Sequence, residues 1–459
     1  MNIAGALSAV FWGLLLLSLL VVVHEAGHYL AARAFGVRVT EFYLGLPSRF
    51  RLFKKSKKHG TEFGVTPFLL GGYNRICGME AEDDELMPRA FAIVQREGRV
   101  KVEALAQELG IEVERAYALM VGLSDLAAIR PYYDPELGEH PAQKDYPQSF
   151  EALARDAHML TEYDKGHDFD EQGSTGDAEP RPLADAERQL EAEKSRTYKG
   201  LSYPKRLVVL FAGPVVNLIL ALVLATGGFM AVEYKTLVNV NEVGGITEGS
   251  LAEAAGLKAG DKILKVAGTD VSDWVEVSDA LADAREAAVD FDVVYERDGQ
   301  QATTTIDLPD GEVVDLIGVN SCTEPVHLTL VQAIQSSFEY AKQVASVAIR
   351  LIMPQHTMEV LNQSTSIVGI SVMASEAASS SLLDVIALLA AVSMSLGFMN
   401  LLPIPPLDGG KIVVETIQAI LHRPLSTKAQ VAISYVGVAF FVFVFVVVLR
   451  NDIMRFFVG

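Results

Sequence analysis

The sequence predicts a membrane α-helical protein that carries two kinds of soluble appendage, and three observations predict it. Half of the 459 residues are hydrophobic and the mean hydropathy is +0.27, which suits a membrane-embedded core better than one globular domain. Four apolar runs are long enough to cross a bilayer, near residues 5–35, 207–232, 382–402 and 431–449. Charge is segregated as well: between Glu80 and Arg196, 28 Asp or Glu face 13 Lys or Arg, most of the net charge of −20. Such a balance argues against a nucleic-acid partner, because neutralising phosphates needs clustered Lys and Arg.

The first element, residues 1–36, is a transmembrane helix. Gly5 to Val23 is apolar apart from Ser8 and Ser18, and no Lys or Arg precedes Arg33; a signal peptide would have a basic start and a shorter apolar core. Into this run the sequence places His24, Glu25 and His28. Helical geometry puts His24 and His28 on one face, one turn apart, so that both imidazoles can bind one Zn²⁺ with Glu25 beside them as a proton-handling carboxylate. Two histidines packed between helices are the bland alternative. Each ionisable group near a helix centre costs roughly 2.5–3.5 kcal/mol on insertion scales, so three within five residues call for a compensating role, and a metal supplies one. The cluster Arg33, Arg38, Arg49, Arg51, Lys54, Lys55, Lys57 and Lys58 puts the following segment in the cytoplasm and the N-terminus outside.

Residues 37–79 read as membrane-associated strands with a Gly71-Gly72 turn; they form either a plain surface hairpin or an edge on which an extended peptide can pair. Residues 80–199 form the acidic cytoplasmic insertion. In it, Val102, Leu105, Ala106 and Leu109, a break at Gly110, then Val113, Ala116, Met120 and Leu123 spell helix-turn-helix. Val100 to Tyr133 resembles a winged-helix module, and the acidic balance favours docking, regulation or a packed spacer over DNA binding. Pro135 to Glu193 reads as a partly disordered linker with His158 and His167 solvated.

Residues 200–236 hold the second transmembrane helix, entered from Lys205-Arg206 on the cytoplasmic side. Gly213-Pro214 opens its hydrogen-bond ladder, and Asn217 within it either ties helices together or holds substrate backbone. Residues 237–325 form an extracytoplasmic α+β module: Gly249-Ser250-Leu251-Ala252-Glu253-Ala254-Ala255-Gly256-Leu257 and Gly260-Asp261-Lys262-Ile263-Leu264 resemble the core of a PDZ domain, a fold that binds chain ends by strand addition. In residues 326–380, Val331, Ile334, Phe338, Ala341, Ala345 and Ile349 mark an amphipathic helix, and a Ser-rich linker follows. Residues 381–459 hold the third and fourth transmembrane helices. The third ends in Asn400-Leu401-Leu402-Pro403-Ile404-Pro405-Pro406-Leu407-Asp408, whose prolines stop a regular helix. Unwound backbone at membrane depth is tolerated only inside protein or beside a wet cavity, so Asp408 is either a third zinc ligand or a helix cap. Cys77 and Cys322 fall on opposite sides of the membrane and cannot pair. The C-terminus lies outside.

Taken together, His24-Glu25-Ala26-Gly27-His28, Gly213-Pro214 with Asn217, the PDZ-like module, and Asn400 through Pro403 to Leu407-Asp408-Gly409 resemble the site-two protease family, in particular bacterial zinc metalloproteases of regulated intramembrane proteolysis with four transmembrane helices and one PDZ domain. The resemblance spans all but the insertion at about 82–194. It implies a zinc site between the first and third helices with His24, His28 and Asp408 as ligands, Glu25 as catalytic carboxylate, and Asn217 and Asn400 as substrate-backbone contacts. It further implies single-pass membrane proteins as substrates, already trimmed on the outer side, such as anti-sigma-factor-like proteins or signal-peptide remnants, with the PDZ domain as gate. Two departures stand out. The family pattern Gly-Gly-Tyr-Val-Lys-Met is Gly71-Gly72-Tyr73-Asn74-Arg75-Ile76 here, and Gly-Pro-Val-Gly-Ile is Ser366-Ile367-Val368-Gly369-Ile370. A non-catalytic membrane PDZ scaffold is the alternative function, though it would have no use for His24, Glu25, His28 and Asp408 together. A transporter fits poorly, since four spans lack an inverted repeat.

Overall fold

A computed structural model describes residues 3–48, 50–69, 71–79, 83–140, 143, 146–287, 289–308, 317–423, 425 and 427–454. It divides into two units, one of residues 1–228 and 335–459 and one of residues 229–334. Among the described residues, four helices are long and apolar enough to cross a membrane: Ile3–Ala34, Tyr203–Ala231, Leu382–Asn400 and Ala429–Ile453.

In the first unit, helix α1 (Ile3–Ala34) buries Ala9, Gly13, Leu16, Leu20, His24, Gly27 and His28. Their spacing of three and four is one stripe of a helix, so the histidines share the face that packs into the protein. A mixed sheet follows, made of β1 (Val39–Leu44), β2 (Leu52–Lys55), β3 (Glu62–Val65) and β4 (Gly72–Ile76) in the order β2-β3-β1-β4. Gly72, expected in a turn, lies in β4 opposite Leu44; a Cβ there would come within 2.9 Å of the Tyr43 carbonyl oxygen, so the glycine serves close strand approach.

The insertion folds as α2 (Met87–Glu97), β5 (Arg99–Lys101), α3 (Val102–Leu109), α4 (Val113–Asp125), β6 (Ile129–Tyr132) and β7 (Ser149–Ala152). Its antiparallel sheet runs β5-β7-β6. Phe91, Leu105, Met120, Leu123 and Phe150 fill its core, each worth about 1.5–3 kcal/mol on burial. Gly110 closes α3 in the left-handed conformation, φ 66°, where glycine pays no Cβ penalty.

The expectation of a partly disordered linker at 135–193 is corrected by the structure. Arg155, Asp156, Thr161, Asp164 and Glu193 are buried there, and α5 (Ala186–Ser195) closes the segment. The reason lies upstream. Arg38, fully buried just before β1, donates to Asp164 Oδ1 and Oδ2 at 2.7 and 2.6 Å, to Glu193 Oε2 at 2.5 Å, and to the carbonyls of Leu126 and Ala127. Arg155 donates to Glu193 Oε1 at 2.7 Å. Composition counts these as solvated charges, whereas tertiary pairing makes them an interior ion network. His158 is exposed, as expected, and His167 pairs with the Asp164 carbonyl.

Helix α6 (Tyr203–Ala231) buries Gly213, Pro214, Asn217, Ala221 and Ala225, a run of small side chains that permits close helix approach. The second unit is α+β. It comprises β8 (Glu233–Leu237), β9 (Val243–Ile246), α7 (Leu251–Ala254), β10 (Lys262–Val266), β11 (Thr269–Asp270), α8 (Trp274–Glu286), β12 (Phe291–Arg297), β13 (Gln300–Ile306), β14 (Val319–Ser321) and β15 (Thr323–His327). Its main sheet is β11-β10-β12-β13, packed around Val243, Leu257, Ile263, Val266, Val277, Val293 and Ile306.

The amphipathic segment forms α9 (Leu330–Leu351), and α10 (Pro354–Gln363) follows. The Ser-rich stretch, expected as linker, is instead helix α11 (Ile367–Ser380). It packs along α1: Ser375 Oγ lies 2.7 Å from Ser8 Oγ, and a Cβ on Gly13 would strike Ser371. Small polar side chains here allow two helices to meet closely. Helices α12 (Leu382–Asn400), α13 (Asp408–Leu421) and α14 (Thr427–Ile453) complete the chain. Buried Asp452, at the end of α14, accepts from the backbone N–H groups of Ser366 and Gly369, capping the start of α11. Cys77 and Cys322 are both free.

Candidate metal centre

Two elements distant in sequence, α1 and α13, bring three polar side chains to one point on the buried stripe of α1. His24 Nε2 lies 3.0 Å from Asp408 Oδ2, His28 Nε2 lies 3.2 Å from the same oxygen, and the two nitrogens are 3.2 Å apart. All three residues are buried. Asp408 opens α13, and its carboxylate turns to the imidazoles instead of capping its own helix. The position depends on Gly409 and Gly410: a Cβ on either would lie 2.2–2.4 Å from backbone atoms of Leu402 or Pro405. Helix α13 can therefore start directly against the turn that ends α12. Arg206 to Glu415 at 3.1 Å and Tyr203 to Thr416 at 3.0 Å fasten it to the start of α6.

Helix α6 supplies the opposite wall. His28 Nδ1 is 2.7 Å from the Val209 carbonyl oxygen, so Nδ1 carries the proton and Nε2 presents a lone pair inward. Pro214 cannot donate to the Leu210 carbonyl and opens the helix turn beside that acceptor. Gly213 is needed for contact, since a Cβ there would sit 2.3 Å from His28 Nε2. Gly27 plays the same part from α1, where a Cβ would meet the Ala212 carbonyl oxygen at 2.4 Å.

These donors fit a tetrahedral divalent metal. Bonds of 2.0–2.1 Å at tetrahedral angles require donor atoms about 3.3 Å apart, close to the observed triangle. Two unprotonated nitrogens and a carboxylate oxygen at such range repel one another unless a cation or proton lies between them. His24, His28 and Asp408 are also the one group of three or more His, Cys, Asp or Glu side chains, among the described residues, able to hold a metal ion.

Glu25 is half-buried beside them, and Asn74 of β4 donates to its Oε2 at 2.8 Å. Asn217, expected as a substrate-backbone contact or a tie between helices, lies on the buried face of α6. It is fully buried, its backbone carbonyl accepts from Ser393 Oγ at 2.8 Å, and its side-chain Nδ2 stands 3.4 Å from His24 Nδ1. This places the Asn217 side chain against the ring of His24. Its Oδ1 is buried without a partner; exchanging the amide oxygen and nitrogen lets His24 Nδ1–H donate to Oδ1, as a ligand bound through Nε2 requires. Asn400 ends α12, half-buried and without a hydrogen bond from its side chain among the described residues. Periodicity along β4 gives no signal for what Asn74 touches.

A helix-borne His-Glu-x-x-His site closed by a distant aspartate, set in a chain with four membrane-length helices, defines a membrane metalloprotease. The match to known proteins agrees: the family model "Peptidase family M50" covers residues 12–444. The chain belongs to peptidase family M50, the site-two proteases, and is a zinc metalloprotease. It is 27% identical to the zinc metalloprotease RasP of Shouchella clausii over 100% of both chains. It is 26% identical to the regulator of sigma-W protease RasP of Bacillus subtilis over 95% of this chain and 96% of that one. It is 26% identical to the probable protease eep of Enterococcus faecalis over 97% of this chain and 98% of the relative.

Proposed function

We propose that this protein is an intramembrane endopeptidase that hydrolyses peptide bonds within the transmembrane segments of single-pass membrane proteins already trimmed on the outer side, anti-sigma-factor-like proteins or signal-peptide remnants. The observation that carries the reading is the donor triangle of His24, His28 and Asp408 on the buried face of a membrane-length helix, with Glu25 alongside. The Bacillus subtilis relative's name as a regulator of sigma-W supports the substrate class.

His24, His28 and Asp408 would hold the zinc ion. Bound there, zinc would act as a Lewis acid that lowers the pKa of water toward neutrality and polarises a carbonyl. Glu25 takes the proton of the attacking water and passes it to the leaving amine. Asn217 orients His24 from behind, and Asn400 holds the substrate backbone. A transmembrane helix hides its carbonyls in its own hydrogen bonds, so the scissile stretch must be drawn out before attack. The outer edge of β4, the terminal strand of its sheet, suits that task by pairing with the extended stretch. The unit of residues 229–334 acts as a PDZ domain on the outer side, excluding untrimmed substrates, while the termini lie outside and the insertion at 80–199 lies in the cytoplasm.

The test is cleavage of a tagged single-pass substrate by the full chain in detergent, with bound metal measured for wild type, Glu25→Gln and Asp408→Asn. The expected pattern is cleavage by wild type, full zinc but no cleavage for Glu25→Gln, and loss of zinc for Asp408→Asn. Equal metal content in all three with no cleavage by any would instead favour a PDZ scaffold.

A further inference from the structure

Strand β4 crosses α1 at Glu25, and one side chain of the strand reaches the carboxylate. Asn74 Nδ2 donates to Glu25 Oε2 at 2.8 Å and to the Glu25 backbone carbonyl at 3.0 Å. Both partners are acceptors, so the amide nitrogen must face them and no flipped assignment satisfies the pair. Alternation along the strand makes the contact specific. Tyr73 points to the other face, stacking on Tyr43 at 5.3 Å and donating to Glu41 at 3.0 Å. Gly72, on the face that Asn74 shares, leaves room for α1: a Cβ there would stand 3.7 Å from Glu25 Cγ. The backbone of Asn74 is itself held, in register with Phe42 of β1.

We propose that Asn74 is a positioning residue for the proton-transferring carboxylate, holding Glu25 by Oε2 and by its backbone so that Oε1 is the oxygen left to exchange the proton. The inference rests on the protease reading above. A glutamate free at a helix surface samples several rotamers, and a group misplaced by about 1 Å costs up to 10²-fold in rate. Two donations from one amide remove that freedom. They also join the base to the edge strand of the sheet, so a substrate paired along β4 lies on the element that orients the carboxylate.

The test is steady-state cleavage of a single-pass substrate by the full chain in detergent, for Asn74→Val, Glu25→Asp and the double variant. Zinc content, thermal midpoint and affinity for a peptide hydroxamate are measured on each. Asn74→Val is expected to lower kcat about 10- to 100-fold with KM within about twofold, to weaken the hydroxamate, and to keep zinc content and midpoint. The Glu25→Asp carboxylate is one methylene short of the amide, so adding Asn74→Val there should change kcat by less than about twofold. Wild-type kcat in Asn74→Val, or the same loss in both backgrounds, overturns the proposal while leaving the protease reading intact. A zinc-loaded wild-type chain that cuts nothing overturns both, and is seen before any variant is compared.

Discussion

Gly213→Ala sets two physical effects against each other in a single methyl group. Gly213 lies inside α6 with helical backbone, and by propensity alone alanine there would stabilise the helix by about 0.8–1.0 kcal/mol. Packing says the reverse. The added Cβ would lie 2.3 Å from His28 Nε2 and 2.8 Å from its Cδ2 and Cε1, against an ordinary contact of at least 3.4 Å. The ring must therefore retreat by about 1 Å, whereas metal–ligand distances tolerate about 0.2 Å. His28 cannot pivot freely, because its Nδ1 is tied to the Val209 carbonyl. One of the three proposed zinc ligands would thus be lost, and zinc affinity should fall by about 100-fold or more, beyond the 10- to 100-fold typical of losing an outer-shell partner. The assay is zinc retained by purified protein across a series of buffered chelators, with thermal melting in the same detergent. Gly227→Ala is the control: it lies in the same helix, and its added Cβ would meet nothing within 4 Å, so it should keep zinc. Wild-type zinc affinity and cleavage in Gly213→Ala would refute the packing argument.

Further outcomes follow from the charges and thiols outside the membrane. Arg38→Met leaves Asp164 and Glu193 buried without their main partner and should cost about 3–5 kcal/mol, read as easier proteolysis of the insertion. Adding Asp164→Asn and Glu193→Gln should recover part of that loss, and full additivity would argue against a shared network. Burial alone would raise the pKa of both carboxylates, but Arg38, joined by the Thr161 N–H and Arg196 at Asp164 and by Arg155 at Glu193, outweighs it and holds them below their ordinary values. A depressed folded-state pKa gives stability that is present above the unfolded value, about 4, and lost as pH falls through the folded one. The insertion should therefore loosen as pH drops below about 4, while Asp164→Asn with Glu193→Gln should show a flatter acid limb in a proteolysis titration. Burial, with Asp125 nearby, pushes the Cys77 thiol up to about 12, so native protein should resist alkylation at that residue near pH 8. Labelling of Cys77 at the rate of a free thiol would contradict its burial.

Much of the candidate site was legible in the chain because its chemistry violates its surroundings. His24, Glu25 and His28 in an apolar helix, and Asp408 after three prolines, are costly at membrane depth, and cost is visible without a structure. Placement of neighbours was not. Periodicity marked Asn217 as a polar residue on a buried helix but could not separate a substrate contact from a partner of His24, since that depends on which way α6 faces. Asn74 could not be found at all: its partner is 49 positions away, and nothing local to a strand announces a contact across to a helix.

The same division holds for the fold. Apolar runs set the four membrane helices, because a bilayer imposes length and composition directly, and the pattern from Val102 to Leu123 set the helix-turn-helix. Local composition misjudged 135–193 and 364–381. Acidic and basic side chains that look solvated one by one become an interior when Arg38 meets Asp164 and Glu193, and a serine-rich stretch becomes helix α11 when small side chains let it lie against α1. Sequence determined which groups cannot remain alone in lipid or in the interior. The tertiary structure decided their partners, because burial and pairing are properties of contacts between segments that no single segment encodes.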